Sequence, residues 1–274
     1  MNELFKLVTK IDLLNSKGEV VSCGSGFFYA VGIDGSEAHL PCIITAKHLL
    51  DNPDYSSYRF LVQSTNDFTN EVSQIEIIFA EKDVDVVENE FKDLALIYLK
   101  SVILKKSKNF LRPTFLKYEN TSSPWIMHNF LATENNAYGL DIYENRKMIN
   151  LQDDTVNILG YHYGDDIYKL NCPIGLYGLL TMDASKSTFI VQAPVNKGSS
   201  GSPIFAEING MTQLIGIVSE QCHIGDKPIE GLFYAVSSQG ISLLEQIIIE
   251  KLGSSTIEKI KEQVSRPTFF TRRR

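Results

Sequence analysis

The feature that most constrains the fold is a succession of short apolar runs, each rich in Val, Ile, Phe and Tyr and each closed off by turn formers. In the first half they read "EVVSCGSGFFYAV", "LPCIITA", "YRFLVQS", "SQIEIIFA" and "DLALIYLK", separated by stretches such as "IDGSE" and "DNPD". The second half continues with "TVNILGYHY", "STFIVQAPV", "TQLIGIVSE" and "EGLFYAV". Their length and their β-branched and aromatic content predict strands rather than helices. Each half holds enough of them to close a barrel, which removes exposed sheet edges, so the expected class is all-β. Residues 104 to 154 are less regular and yield no secure strands. The expected division is 1–118 and 119–236 for the two barrels, then 237–274 for a C-terminal helix and basic tail.

Composition supports a packed interior and narrows the partners. At 43% hydrophobic and 22% charged residues, the chain has apolar material for one large core or two small ones. A net charge of -7, with no basic stripe interleaved with aromatics, gives no phosphate-binding surface, so no nucleic-acid partner is expected. The opening "MNELFKLVTKIDLLNSKGEV" mixes charged and apolar residues and lacks the apolar core of a secretory signal. No later segment reaches the roughly 18 unbroken apolar residues of a membrane span. The expectation is a soluble cytoplasmic protein with no membrane partner. Cys23, Cys42, Cys172 and Cys222 are scattered without a CxxC pair, which predicts reduced, buried, structural thiols.

One helix is predicted. In "SSQGISLLEQIIIEKLG", serine caps the start at Ser237, Ile241, Leu244, Ile248 and Leu252 form one apolar face, and Gly253 ends it. That face is expected to pack on the second barrel. Residues 254 to 274 carry six Lys/Arg against two Glu and read either as a solvated tail, with room for a further short helix, or as a docking segment for a regulatory protein partner.

The chemistry centres on "APVNKGSSGSPIF". A serine hydroxyl is a poor nucleophile at neutral pH, so a catalytic serine needs a base within hydrogen-bond reach and donors aimed at a developing oxyanion. Flanking glycines let backbone N–H groups turn into one cradle and let a substrate carbonyl approach. Only Ser200 has glycine both two residues before it and one after it, at Gly198 and Gly201; Ser199 and Ser202 lack that setting. A glycine-serine cluster is also linker-like, but strand-like runs on both sides make this one a tight turn.

Five histidines could supply the base. His128, His162 and His223 have no partner pattern, and His39 lies at a loop edge; a surface or hydrogen-bonded structural role is expected for each. His48, in "CIITAKHLL", directly follows a buried strand, where a side chain can be presented to a cleft. The orienting carboxylate should be buried, and "KDLALIYLK" puts Asp93 at the mouth of an apolar strand. Asp83, Asp85, Asp153, Asp154, Asp165 and Asp166 read as solvated.

Together, "TAKH", "DLAL" and "GSSGSP", in the order His, Asp, Ser, resemble the chymotrypsin/trypsin-like serine peptidase family over residues 19 to 252. The "GSGFF", "ILGY" and "LIGIVS" segments are similar to its bacterial high-temperature-requirement branch, without a PDZ-like extension. The resemblance implies two six-stranded antiparallel β-barrels with a triad of His48, Asp93 and Ser200 at their junction. It further implies an oxyanion hole from the N–H groups of Gly198 and Ser200, and no cofactor or metal. Ser199 stands where secreted relatives have an aspartate that pairs with a new N-terminus, so activation by such an ion pair is not expected; Ser202 replaces a glycine. The specificity pocket is expected between Ser219, Glu220 and Gln221 and residues 231 to 233, from Gly231 to Phe233, with Pro194 and Val195 near its base. No aspartate at that base implies an uncharged, small or medium apolar P1 side chain, and Glu220 is the complicating charge. The expected function is a serine endopeptidase acting on protein or peptide substrates. The alternatives are a latent enzyme switched on by a partner and a catalytically silent protease-like fold used for binding.

Overall fold

The computed structural model describes residues 4–36, 38–65, 72–90, 92–100, 102–105, 114–118, 132–133, 155–162, 172–182, 188–208 and 211–265. Strands β1 (Val8–Leu14), β2 (Val20–Gly32), β3 (Ala38–Thr45), β4 (Ser57–Thr65), β5 (Val72–Ala80), β6 (Val84–Glu88) and β7 (Ala95–Leu99) form one antiparallel sheet in the order β5-β4-β1-β2-β3-β7-β6. Three short strands attach to it. β8 (Val102–Lys105) pairs with β3 and with β9 (Thr114–Tyr118), and β10 (Ala132–Thr133) adds to β2 in parallel. The sheet curls around a core of Ile11, Phe28, Ile43, Phe60, Phe79 and Ile97, but β5 and β6 do not pair, so the first barrel is a half-barrel among the described residues. The second is closed: β11 (Thr155–Gly160), β12 (Ile174–Met182), β13 (Thr188–Gln192), β14 (Pro203–Ile208), β15 (Met211–Ile224) and β16 (Lys227–Ser237) run in the order β11-β12-β13-β16-β15-β14.

The unbroken apolar runs have a physical reason. Along β2, Phe28 and Ala30 face the interior of the first sheet, while Phe27, Tyr29 and Val31 face outward into a second core. The same alternation holds on β3 and β7, so these strands are buried on both faces and need no polar side. Among the strands that the apolar runs do not predict, β1, β6, β12 and β14 carry charges or glycines that hide the pattern. In β1, Asp12 is 2% exposed and accepts two hydrogen bonds from Arg59, at 3.0 and 2.7 Å, with Lys10 at 3.2 Å.

The C-terminal helix α1 (Gly240–Ser265) corrects three expectations. It begins three residues after Ser237, with Ile241 N–H bonded to the Ser238 carbonyl at 3.0 Å. Gly253, at φ 69° and ψ 160°, kinks it rather than ending it. It packs chiefly on the first sheet, against β3, β6, β7 and β8, and shares its core with Leu214, Ile217 and Val236 of the second barrel. Ile241, Leu244 and Ile248, with Ile257 and Val264 beyond the kink, join the core of Phe27, Tyr29, Cys42 and Leu96. Without the helix, the outer face of β2, β3 and β7 would expose aromatic and aliphatic side chains to water. Polar ties fix the register: Tyr29 hydroxyl to Glu245 at 2.6 Å, and Lys251 Nζ to the Val86 carbonyl at 3.1 Å. Residues 254–265 are therefore packed helix rather than solvated tail, and the last nine residues, with the terminal arginines, lie outside the described set.

Other expectations also change. Cys42 and Cys222 are buried, but Cys23 and Cys172 are exposed. Asp85 is not simply solvated: it pairs with Lys100 at 3.0 Å and Lys251 at 3.8 Å, joining β6 to the helix. His39 is a buried β3 residue. Asp153, Asp154, Asp165, Asp166 and His128 lie outside the described residues, and no described helix is long and apolar enough to cross a membrane.

Candidate active site

His48 and Asp93 meet because of a sheet register. β3 and β7 pair antiparallel, with Thr45 opposite Ala95, so the residues just after Thr45 run beside those just before Ala95. The 3-10 turn Lys47–Leu50 follows β3 and buries Leu49 and Leu50, which turns His48 outward; Ser22 Oγ donates to the Leu49 carbonyl at 3.0 Å and holds the turn to β2. Leu94 is 1% exposed and anchors the other side. Asp93 then accepts twice from one residue, from the His48 backbone N–H at 2.8 Å and from Nδ1 of its ring at 2.7 Å. Ser219 Oγ donates to the same carboxylate at 2.5 Å.

These contacts set the charges. The hydrogen bond from Asp93 raises the His48 pKa above the ordinary imidazole value; burial opposes it, and the negative charges of Asp93, Glu220 and Asp51 add to it. For Asp93, burial pushes the carboxyl upward, but hydrogen bonds from His48 and Ser219 and the His48 charge outweigh it, so its pKa lies below the usual range. An ionised carboxylate thus faces Nδ1–H and leaves Nε2 as the ring's available base.

Ser200 sits on a loop from the second barrel that is held from the first. Ser25, on β2, donates its hydroxyl to the Gly198 carbonyl at 2.7 Å and its backbone N–H to the Ser200 carbonyl at 2.9 Å. Its Oγ also accepts the Tyr161 N–H at 2.8 Å, and Thr45 Oγ1 donates to its carbonyl at 2.7 Å. Gly24 and Gly26, on either side of Ser25, keep this seam close: a Cβ on Gly24 would strike Leu49 and press on the Ser200 carbonyl. Gly201 has φ 84°, and a Cβ there would strike the Ser25 carbonyl and Thr45 Oγ1. Ser202 is fully buried, and Gly160 leaves the space that its side chain fills.

Residues 196 to 199 form a turn closed by Ser199 N–H to the Asn196 carbonyl at 3.1 Å, with Gly198 at φ 91°. Positive φ at the third position is a conformation that glycine adopts without strain. The amides of Gly198 and Ser200 are donated to no described residue. Ser200 Oγ donates to the Ser219 carbonyl at 3.2 Å and makes no hydrogen bond to the His48 ring.

A cavity of about 1040 Å³ joins these groups. His48, Ser199 and Ser200 lie on its wall with Pro194, Val195, Ser219, Glu220, Gln221, Gly231 and Phe233. Ala193, Val195, Val218 and Phe233 give it an apolar lining; Glu220, Glu230 and Lys197 are its charged side chains among the described residues. Glu220 reaches the cavity because β15 bulges: Val218 faces Ala235 and Gln221 faces Phe233, so three steps on one strand match two on the other. The extra residue sends the Ser219 hydroxyl to Asp93 while Glu220 stays on the cavity wall.

Ser25, the Ser219 bond to Asp93 and a bond between His162 and Ser199 are the parts that sequence reasoning missed. Ser25 and Ser219 stand within the quoted "GSGFF" and "LIGIVS" runs, so the signal was present without its role. His162 carried none.

A half-barrel and a closed six-stranded barrel, with a C-terminal helix and a His, an Asp and a Ser at their seam, define a trypsin-like two-barrel fold. No family model and no curated protein matches the chain. Among solved structures it is similar to the crystal structure of the serine endoprotease from Yersinia pestis, at 15% identity and a TM-score of 0.48. That match covers 91% of this chain, which spans 65% of the length of the other.

Proposed function

We propose that the chain is a serine endopeptidase that cleaves peptide bonds through an acyl-enzyme on Ser200. The observation that carries this reading is the Asp93 carboxylate gripping His48 at both its backbone N–H and Nδ1, on one cavity with Ser200. In this mechanism Ser200 Oγ attacks the scissile carbonyl as its proton passes to His48 Nε2, and Asp93 stabilises the imidazolium without taking the proton. The oxyanion forms toward the N–H groups of Gly198 and Ser200, where loss of one donor costs about 3 kcal/mol. His48 returns the proton to the leaving amine, and water then repeats the sequence to free the acid product.

The apolar lining from Ala193, Val195, Val218 and Phe233 favours an uncharged P1 side chain of small or medium size. Dominant cleavage after Arg or Lys in a fluorogenic peptide library would refute that preference.

A specific observation supports a second reading, a resting enzyme. Ser200 Oγ is hydrogen-bonded to the Ser219 carbonyl at 3.2 Å rather than to His48. This reading requires a change of Ser200 side-chain rotamer, which substrate or a partner would select. Labelling with a fluorophosphonate probe tests both readings. Labelling of the wild type that is lost in Ser200→Ala and His48→Ala supports the enzyme. Labelling that survives Ser200→Ala moves the nucleophile elsewhere, and none at all in the wild type favours a latent or binding role.

A further inference from the structure

Ser199 precedes Ser200 but is tied into the protein: it is 1% exposed overall, and its Oγ makes three polar contacts. It donates to the Asn196 carbonyl at 2.6 Å, accepts the Asn196 N–H at 3.1 Å, and lies 2.5 Å from Nδ1 of His162. A hydroxyl has one proton. With that proton on the Asn196 carbonyl, the third contact is completed by the Nδ1–H tautomer of His162; with it on the ring, Nδ1 accepts, and either way the contact ties Ser199 to His162. His162 is itself 7% exposed, and burial keeps it neutral by lowering its pKa to about 4, against a small opposing effect of the Ile174 backbone.

The geometry points to His162 as a positioning residue that acts through Ser199 to hold the 196–199 turn in the form that presents the Gly198 and Ser200 amides to an oxyanion. The inference rests on Ser200 being the nucleophile. Ser199 Oγ staples both backbone groups of Asn196, at the start of the turn, to the residue that ends it. Ser25 and Val218 hold the carbonyls of Gly198 and Ser200 and the amide of Gly201, but none of them holds the peptide between Lys197 and Gly198. Gly198 tolerates either sign of φ, so that peptide can turn over unless the staple stays closed. Ser199 also borders the cavity, and the His162 contact is one of the three that hold its hydroxyl on the turn.

Two substitutions that share the same number and branching of side-chain heavy atoms isolate the bond. His162→Asn keeps an N–H donor at the position of Nδ1 along the side chain, and His162→Leu keeps the branching without a donor. Expected for His162→Leu is a fall in kcat of about tenfold or more with KM within about twofold, because loss of a single oxyanion donor costs about 10²–10³ in kcat. Affinity for a peptide boronic acid, whose adduct uses the oxyanion amides, should fall in parallel, and His162→Asn should recover most of both. Equal losses in the two variants, or KM rising as much as kcat falls, would overturn the assignment. Amide hydrogen exchange separates this outcome from failure of the peptidase reading, since it needs no activity. Faster exchange confined to residues 196–200 in His162→Leu, absent in His162→Asn, is expected even if the wild type is not labelled by the fluorophosphonate; unchanged exchange there would also overturn the assignment. Should His162→Leu not fold, Ser199→Ala removes the same bond from the other side and must reproduce both patterns.

Discussion

Ser25 Oγ donates to the Gly198 carbonyl at 2.7 Å across the seam between the first sheet and the second barrel, while accepting the Tyr161 N–H at 2.8 Å. One fully buried hydroxyl thereby fixes the loop of Ser200 to a strand of the other half. Ser25→Ala leaves a buried carbonyl and a buried amide without their partner, at a cost of about 1–3 kcal/mol. Denaturant unfolding should show that loss, with reduced fluorophosphonate labelling. Labelling at the wild-type rate would mean the loop holds its shape without Ser25.

Gly201→Ala is expected to be more damaging. The left-handed φ of 84° strains any side chain, and the new Cβ strikes backbone atoms that cannot move without opening the seam. A loss of more than about 3 kcal/mol, or failure to accumulate as folded protein, is the expected outcome. Thermal unfolding is the check, and a wild-type transition would contradict the packing described.

The acid limb of the pH–kcat/KM profile should lie above the ordinary imidazole value. In the proposed mechanism catalysis needs neutral His48, and the Asp93 hydrogen bond favours its protonated form, so the proton is retained to higher pH. Glu220→Gln removes a negative charge that adds to this effect and should move the limb to lower pH. Asp93→Asn should move it further down and lower kcat about 10⁴-fold. A limb unmoved by Glu220→Gln would place that carboxylate too far from the ring to act.

Stability should fall as the solution is acidified from neutrality toward the His162 value of about 4. The unfolded chain binds a proton near pH 6.5 that the buried ring refuses, so the stability is full above that value and is lost as pH drops through the window. The contribution is on the order of 3 kcal/mol. Raised His48 works in the opposite sense, adding stability below its unfolded value that is lost as pH rises through its folded one, so the comparison must be with His162→Asn. Urea midpoints of the two proteins between pH 7 and 4 should diverge if the assignment is right and run parallel if it is wrong.

Truncation after Gly253 should destabilise the first sheet, because Ile257 and Val264 lie in its outer core. Ile257→Ala alone should cost about 2–4 kcal/mol. Truncation after Ser265 removes the terminal arginines and leaves that core intact, so it separates partner docking from packing. Wild-type melting of the shorter truncation product would contradict the helix docking.

Strand content was legible from the runs themselves, because β2, β3 and β7 are buried on both faces and carry little polar residue to confuse the pattern. β1 was not, since Lys10 and Asp12 interrupt its apolar run, and only the fold shows Arg59 on the neighbouring strand neutralising Asp12. The helix face of Ile241, Leu244 and Ile248 was readable for the same reason as the strands, but its docking partner was not. Periodicity states that a face must be covered and is silent on which surface covers it.

What the sequence determined by itself was local: which segments extend, which glycines permit a turn, and which serine, histidine and aspartate are candidates for the proposed acyl transfer. Tertiary structure alone decided that Thr45 faces Ala95, which brings His48 to Asp93, and that Ser25 crosses the seam to hold Gly198. It also decided that His162 turns inward to Ser199. The physical reason is that hydrogen bonds between residues 37 to 173 positions apart depend on sheet register and barrel closure, which no short stretch of chain encodes.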